Sequence, residues 1–122
     1  MNKYEVLFSD IFEKTESGEI KWRQIRKDAH SDLIFNPNLS YRQYSGTYRK
    51  NDETYEVVFV EKKADDPEHD FVYEKYIPEI LVIGEGNELL VTLTDSVIDR
   101  SEMINLVKEI EETNDKTKKL LD

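Results

Sequence analysis

Tyr76 to Ser96, YIPEILVIGEGNELLVTLTDS, holds two apolar runs joined by Gly84, Glu85, Gly86 and Asn87. Ile80 to Ile83 on one side, and Leu89, Leu90, Val91 and Leu93 on the other, are strand formers bounded by turn residues, the pattern of a hairpin closed by a short glycine loop. Neither run alternates cleanly, so the pattern predicts a hairpin in the middle of a sheet with cover on both faces. An isolated hairpin is barely stable in water, and the remaining sequence has to supply further strands and a covering layer.

It does so in order. Tyr4, Leu7, Phe8, Ile11 and Phe12 recur at i, i+3, i+4, i+7 and i+8, which places them on one face of an amphipathic helix from about Asn2 to Glu16, stopped by Gly18. Glu19 to Ile25 alternates, with Ile20, Trp22 and Gln24 on one side, and reads as a first strand whose Trp22 packs inward. From Arg26 to Gln43 the periodicity fails around Asn36, Pro37 and Asn38, so this stretch reads as a long ordered loop with a short edge strand. Tyr44 to Lys50 and Thr54 to Lys62 form a second hairpin about Asn51 and Asp52, with Tyr55, Val57 and Phe59 facing one way and Glu56, Val58 and Val60 the other. Ala64 to Asp70 reads as a solvated tip. Phe71 to Tyr76 leads into the central hairpin, where Pro78 has to sit at a strand start or a bulge because it cannot donate to the ladder.

After Ser96 the spacing becomes helical. Asp99 and Glu102 form a capping box, and Met103, Ile104, Val107 and Ile110, with Leu106 beside them, follow on one face of a second helix from about Arg100 to Thr113, extendable through KTKKLLD. The expected fold is therefore α+β: an antiparallel sheet of about five strands in a meander, with an N-terminal and a C-terminal amphipathic helix on one face. At 122 residues a single domain spanning 1–122 can bury its own core.

The opening from the first helix through TESGEIKW, carried by Thr15, Gly18, Ile20 and Trp22, followed by a tyrosine-rich meander and a closing acidic helix, resembles small uncharacterised proteins of Gram-positive bacteria and their phages. That resemblance implies a protein encoded on a mobile element that acts by binding another protein. The residues themselves say only that a helix stops and a tryptophan turns inward on a strand.

Several function classes are excluded by composition. With 17 basic and 27 acidic residues the net charge is −10, which repels phosphate backbones and anionic membranes. The absence of cysteine excludes disulfides, thiolate zinc sites and cysteine nucleophiles. Acids within the first ten residues do not suit a signal peptide, and no apolar run approaches a membrane span, so a cytoplasmic protein is expected.

Charge is unevenly distributed. Ile20 to Lys50 carries seven basic residues against Asp28 and Asp32, a local net of +5, whereas Asp52 to Glu85 carries eleven acids against three lysines, a net of −8. Glu53, Glu56, Glu61, Asp65, Asp66, Glu68, Asp70, Glu74 and Glu79 could form a face that steers a basic partner surface or mimics the phosphate spacing of a nucleic acid in a protein's binding groove, or could pair with neighbouring strands for solubility and register. Tyr41, Arg42, Tyr44, Tyr48 and Arg49 form a second candidate patch of the residue types that dominate interaction hot spots. A tyrosine-bearing meander strand explains them equally well.

Asp65, Asp66, Glu68, His69 and Asp70 gather hard donors, but Pro67 sits where a calcium loop needs a glycine bend, and His30 shares no helical spacing with His69. Asp95 and Ser96 read as turn residues, since nothing around them resembles a nucleophile elbow. No catalytic set, cofactor site or metal site is expected. The reading is a non-enzymatic protein-binding module of inhibitor, immunity or anti-defence type, docking on a larger partner protein through the exposed sheet face, the Arg26 to Gln43 loop or the acidic strands. Neither direct nucleic-acid nor membrane binding is expected, and a homodimer through the meander edge remains open. The alternatives are a small-molecule sensor with a pocket lined by Trp22, Tyr44, Tyr48 and Phe59, and a hydrolase using the Asp65 to Asp70 cluster with a metal.

Overall fold

The computed structural model describes residues 2–26, 40–65 and 74–113, with backbone alone at 40, 41, 63–65 and 74–76. Helix α1, Lys3–Glu16, starts where the Asn2 side chain accepts the N–H of Glu5 at 2.9 Å, satisfying one of the donors a helix start leaves open. It ends at Gly18, whose φ of +82° suits a residue without Cβ, and the N–H of Ile20 returns to the Lys14 carbonyl at 3.0 Å. Leu7, Phe8, Ile11 and Phe12 face the core as their spacing predicts, but Tyr4 is 47% exposed and the buried stripe continues through Thr15 instead.

The strands follow in chain order across the sheet: β1 Arg23–Ile25, β2 Ser40–Lys50, β3 Glu53–Asp65, β4 Glu74–Ile83 and β5 Leu89–Leu93, each antiparallel to its neighbour. The α+β meander with two flanking helices is therefore observed. Asn51 and Asp52, with φ of 52° and 64°, make the tight β2–β3 turn whose twist matches the strands it joins. Of the alternating segment Glu19 to Ile25, only Arg23–Ile25 pairs as strand. Ile20 and Trp22 bury their side chains outside the ladder.

Two expectations about β3 to β5 are corrected. Sheet order makes β5 an edge strand, so the Tyr76 to Ser96 hairpin is not central, and β3 occupies the middle. Strand β4 is buried on both faces, but Leu89 and Leu90 on β5 are 38% and 46% exposed. Continuous apolarity was a sound sign of two-sided burial only for the strand with two neighbours. In addition, β3 and β4 run past Lys62 and Ile77 to the pairs Ala64 with Lys75 and Asp65 with Glu74, so part of the expected tip belongs to the ladder. Pro78 lies inside β4, opposite Glu61. Strand β5 ends at Leu93 opposite Ile80, and β4 at Pro78 is paired on one side only, where a missing donor is tolerated. The Arg26 to Gln43 loop between 27 and 39, the acidic tip at 66–70 and the helical extension beyond Thr113 lie outside the described residues.

Helix α2, Arg100–Thr113, begins at the position expected, with the Asp99 carbonyl accepting from the N–H groups of Glu102 and Met103 in its first turn. Met103, Leu106, Val107 and Ile110 bury one stripe. Ile104, expected on it, lies about 100° around the helix from Met103 and is 43% exposed. Both helices join Tyr44, Tyr48, Val57, Phe59, Ile80, Val82 and Leu93 in one cluster on one face of the sheet, and Val58, Val60, Leu81 and Ile83 form a second cluster on the other.

The segment after α1 is fastened at Gly46. A Cβ placed there would meet Ile20 Cγ2 at 2.6 Å and Trp22 Cδ2 at 3.3 Å, so these side chains sit directly on the β2 backbone. The indole N–H of Trp22 donates to Thr15 Oγ1 at 3.0 Å, and the Thr15 hydroxyl donates to the Ile11 carbonyl at 2.8 Å, tying α1, the connection and the sheet together. Since Ile20 is β-branched and 2% exposed, it has nowhere to move. Gly46→Ala is therefore expected to lower the unfolding free energy by about 1–3 kcal/mol, read as a fall in the urea midpoint at unchanged slope.

Candidate functional site

Alternation along β2 decides what the YRQYSGTYR patch does. Residues two apart share a face, so Arg42, Tyr44 and Tyr48 turn toward the helices. Tyr44 is 3% exposed and Tyr48 1% exposed, and both belong to the core. Arg49 is exposed, while only the backbone of Tyr41 is described. The patch is thus divided between the core and the surface.

Arg42 is half-buried and acts as a clamp. Its Nε and Nη2 donate to the two carboxylate oxygens of Glu61 at 3.0 Å each, and its Nη1 donates to Glu111 of α2, so one guanidinium joins β2, β3 and α2. Its charge lies 5.9 Å from the Tyr44 ring centre. Burial works against the charged guanidinium, but the hydrogen bond and charge of Glu61, followed by the charge of Glu111, outweigh it and raise its pKa. Replacing Arg42 with Gln leaves two partly buried carboxylates without their cation. Urea unfolding of Arg42→Gln is expected to show a loss of about 1–3 kcal/mol.

A second polar chain closes the far end of β2. The Tyr48 hydroxyl donates to the Asp10 carboxylate, Lys14 lies 3.4 Å from that carboxylate and 4.8 Å from the Tyr48 ring centre, and Lys14 Nζ donates to the Arg49 carbonyl at 2.6 Å. Alongside runs a groove of about 860 Å³ between α1 and the β2–β3 turn, lined by Asp10, Glu13, Lys14, Arg49, Lys50 and Asp52 among others. Burial, then the hydrogen bond to Asp10 and its charge, raise the Tyr48 pKa above the ordinary 10.0. A raised folded-state pKa means stability that is complete below pH 10 and lost as pH rises beyond it. Urea midpoints measured from about pH 8 to about pH 11 should therefore fall more steeply for the wild type than for Tyr48→Phe.

Of the acids expected to form a docking face, the four with described side chains are engaged within the sheet. Glu61 is 12% exposed and held by Arg42, Glu79 lies 3.1 Å from Lys62, Glu56 accepts the Ser45 hydroxyl and Glu53 accepts the Tyr55 hydroxyl at 2.7 Å. Asp65 and Glu74 are ladder partners with only their backbones described, and Asp66, Glu68 and Asp70 lie outside the described residues. The sheet face away from the helices is also closed at its centre, since Val58, Val60, Leu81 and Ile83 are at most 3% exposed. Trp22, Tyr44, Tyr48 and Phe59, considered above as a pocket lining, are themselves the packed interior at 0–5% exposure. Among the described residues no three His, Asp or Glu side chains converge as a metal site, and no helix is long and apolar enough to cross a membrane.

Exposed charge lies on both helices, at the β2–β3 turn with Arg49, Lys50, Asp52 and Glu53, and at the two sheet edges. Lys21, Arg23 and Arg26 are exposed at and beside β1, whereas Glu85, Glu88, Asp95 and Asp99 are exposed at the two ends of β5. Asp95 accepts from Arg100 Nη2 at 2.8 Å. The β5 acids other than Glu85 were missed in the charge count, as were Leu89 and Leu90, which the hydrophobic pattern assigns to the interior. A usable signal was present: no lysine or arginine occurs between Lys75 and Arg100.

These elements define an open five-stranded antiparallel meander covered by two helices on one face, with exposed basic residues beside β1 and exposed acids in the turns around β5. No protein-family model, curated protein or solved structure gives a significant match to this chain.

Proposed function

We propose that this chain is a protein-binding module that docks on a larger partner protein and acts by binding rather than catalysis, of the inhibitor, immunity or anti-defence kind that phages and mobile elements encode. The observation that carries the reading is the contrast between the two sheet edges, with exposed basic residues at and beside β1, and exposed acids in the turns around β5 together with two exposed leucines. Such separation guides encounter with a complementary protein surface, while a small apolar patch supplies contact area after encounter. The alternative sensor reading has less support, because the aromatic residues that would line its pocket fill the core.

Affinity capture from the native host, with the tagged full chain as bait, tests the proposal. One host protein should co-purify in a fixed ratio, and the complex should weaken at least roughly tenfold between about 0.1 M and about 1 M salt as the screening length shrinks. Recovery of no protein, or of a complex indifferent to salt, would sink it.

A further inference from the structure

We infer that the outer edge of β5 is a strand-addition site that takes an extended partner segment with apolar residues at its centre and lysine or arginine at its ends. The inference rests on the protein-binding reading above and names where and how the partner attaches.

Strand β5 is the last strand of the sheet and pairs only with β4, so one side of its backbone has no ladder partner among the described residues. Open edges invite pairing with another chain, and proteins ordinarily blunt them with lysine, proline, inward charge, β-bulges or very short strands. The other edge is treated in this way: β1 has three residues, begins at exposed Arg23, and is flanked by exposed Lys21 and Arg26. Strand β5 is LLVTL, without charge or proline. Its one irregularity, the register shift opposite Val82 and Ile83, lies at its start. Val91, Thr92 and Leu93 keep regular partners in Val82, Leu81 and Ile80.

The template is also firm. Leu93 is fully buried and Val91 packs on the helix-side core, which holds the strand in place, while Leu89, Leu90 and Thr92 remain exposed on it. A segment added alongside gains main-chain hydrogen bonds to an ordered edge and contacts for alternate side chains on the exposed leucines.

Charge selects the occupant. Glu85 and Glu88 precede the strand and Asp95 and Asp99 follow it, all exposed, with Asp95 also holding Arg100 at 2.8 Å. A second copy paired β5 to β5 about a two-fold axis at Val91 would set the Glu85 to Glu88 end of each copy against the Asp95 to Asp99 end of the other, joining two chains of net −10 through their acidic ends. A segment with basic ends makes the opposite, favourable arrangement.

The test titrates the 15N-labelled full chain with a short synthetic peptide that has an alternating valine and threonine centre and lysines at both ends. Amide shifts and slowed exchange confined to Leu89–Leu93 are expected. Affinity should fall at least roughly tenfold when alternate peptide amides are N-methylated, when the lysines become glutamates, or in Leu90→Lys, whose amide spectrum away from β5 should match the wild type because Leu90 contacts little beyond the Gly84 backbone it covers. Absence of shifts, shifts centred elsewhere, equal binding of the N-methylated peptide, or growth of the protein into larger assemblies without peptide each overturns the inference. A host partner captured equally by wild type and Leu90→Lys defeats the edge mode and leaves the docking function standing. Failure to capture any partner defeats that function instead.

Discussion

The close seating of Ile20 and Trp22 on the bare backbone of Gly46 is the contact on which the architecture depends. The six residues from Ser17 to Trp22 let the chain leave α1, pass over the helix-side face of β2 at Gly46 and enter the ladder at Arg23. The ring fills the space over Gly46 while its N–H reaches back to Thr15, so one side chain fixes both the height of α1 above the sheet and its position along β2. Phe8 and Ile11 join Val57 and Phe59 in the same cluster as the buried stripe of α2. With both helices committed to one face, the strands can alternate cleanly between two separate apolar clusters.

Electrostatics follow from that packing. Arg42 is drawn beneath α2 because its alternation places it with Tyr44 and Tyr48, and two carboxylates from different elements come with it. Glu61 and Glu79 are bound to cations on adjacent strands, as cross-strand pairing favours. The acids in the middle of the sheet therefore serve register and packing. Those in the turns around β5 are exposed, with Asp95 paired to Arg100. Among the described residues, exposed acids, exposed leucines and an open strand edge therefore occur together at β5.

Much of the molecule was legible from local pattern. Asn2, Gly18, Asn51 with Asp52, and Asp99 with Glu102 each mark an element boundary by a backbone requirement that few other residues satisfy. The division of β3 into Val57 and Phe59 against Val58 and Val60 follows from a period of two. Less legible were Tyr4 and Ile104, which fit a helical apolar face by rough spacing but lie at its margin, where the partner surface has already curved away. Leu89 and Leu90 misled for a related reason: apolar character reports a preference for burial, and an edge strand can lack a neighbour to satisfy it.

The candidate surface was less legible than the fold. Tyr44 and Arg42 look like interface residues by type, and whether such side chains face a partner or the interior depends on which face the helices choose. By itself the amino-acid order determined the elements, their turns and the two-sided character of the middle strands, because these arise from backbone geometry and side-chain period over a few residues. Only the tertiary structure decided that β5 is the edge, that Arg42 joins three elements, and that the open acids lie at the ends of β5. Those outcomes depend on contacts between segments tens of residues apart, and no local period encodes which segment ends up beside which.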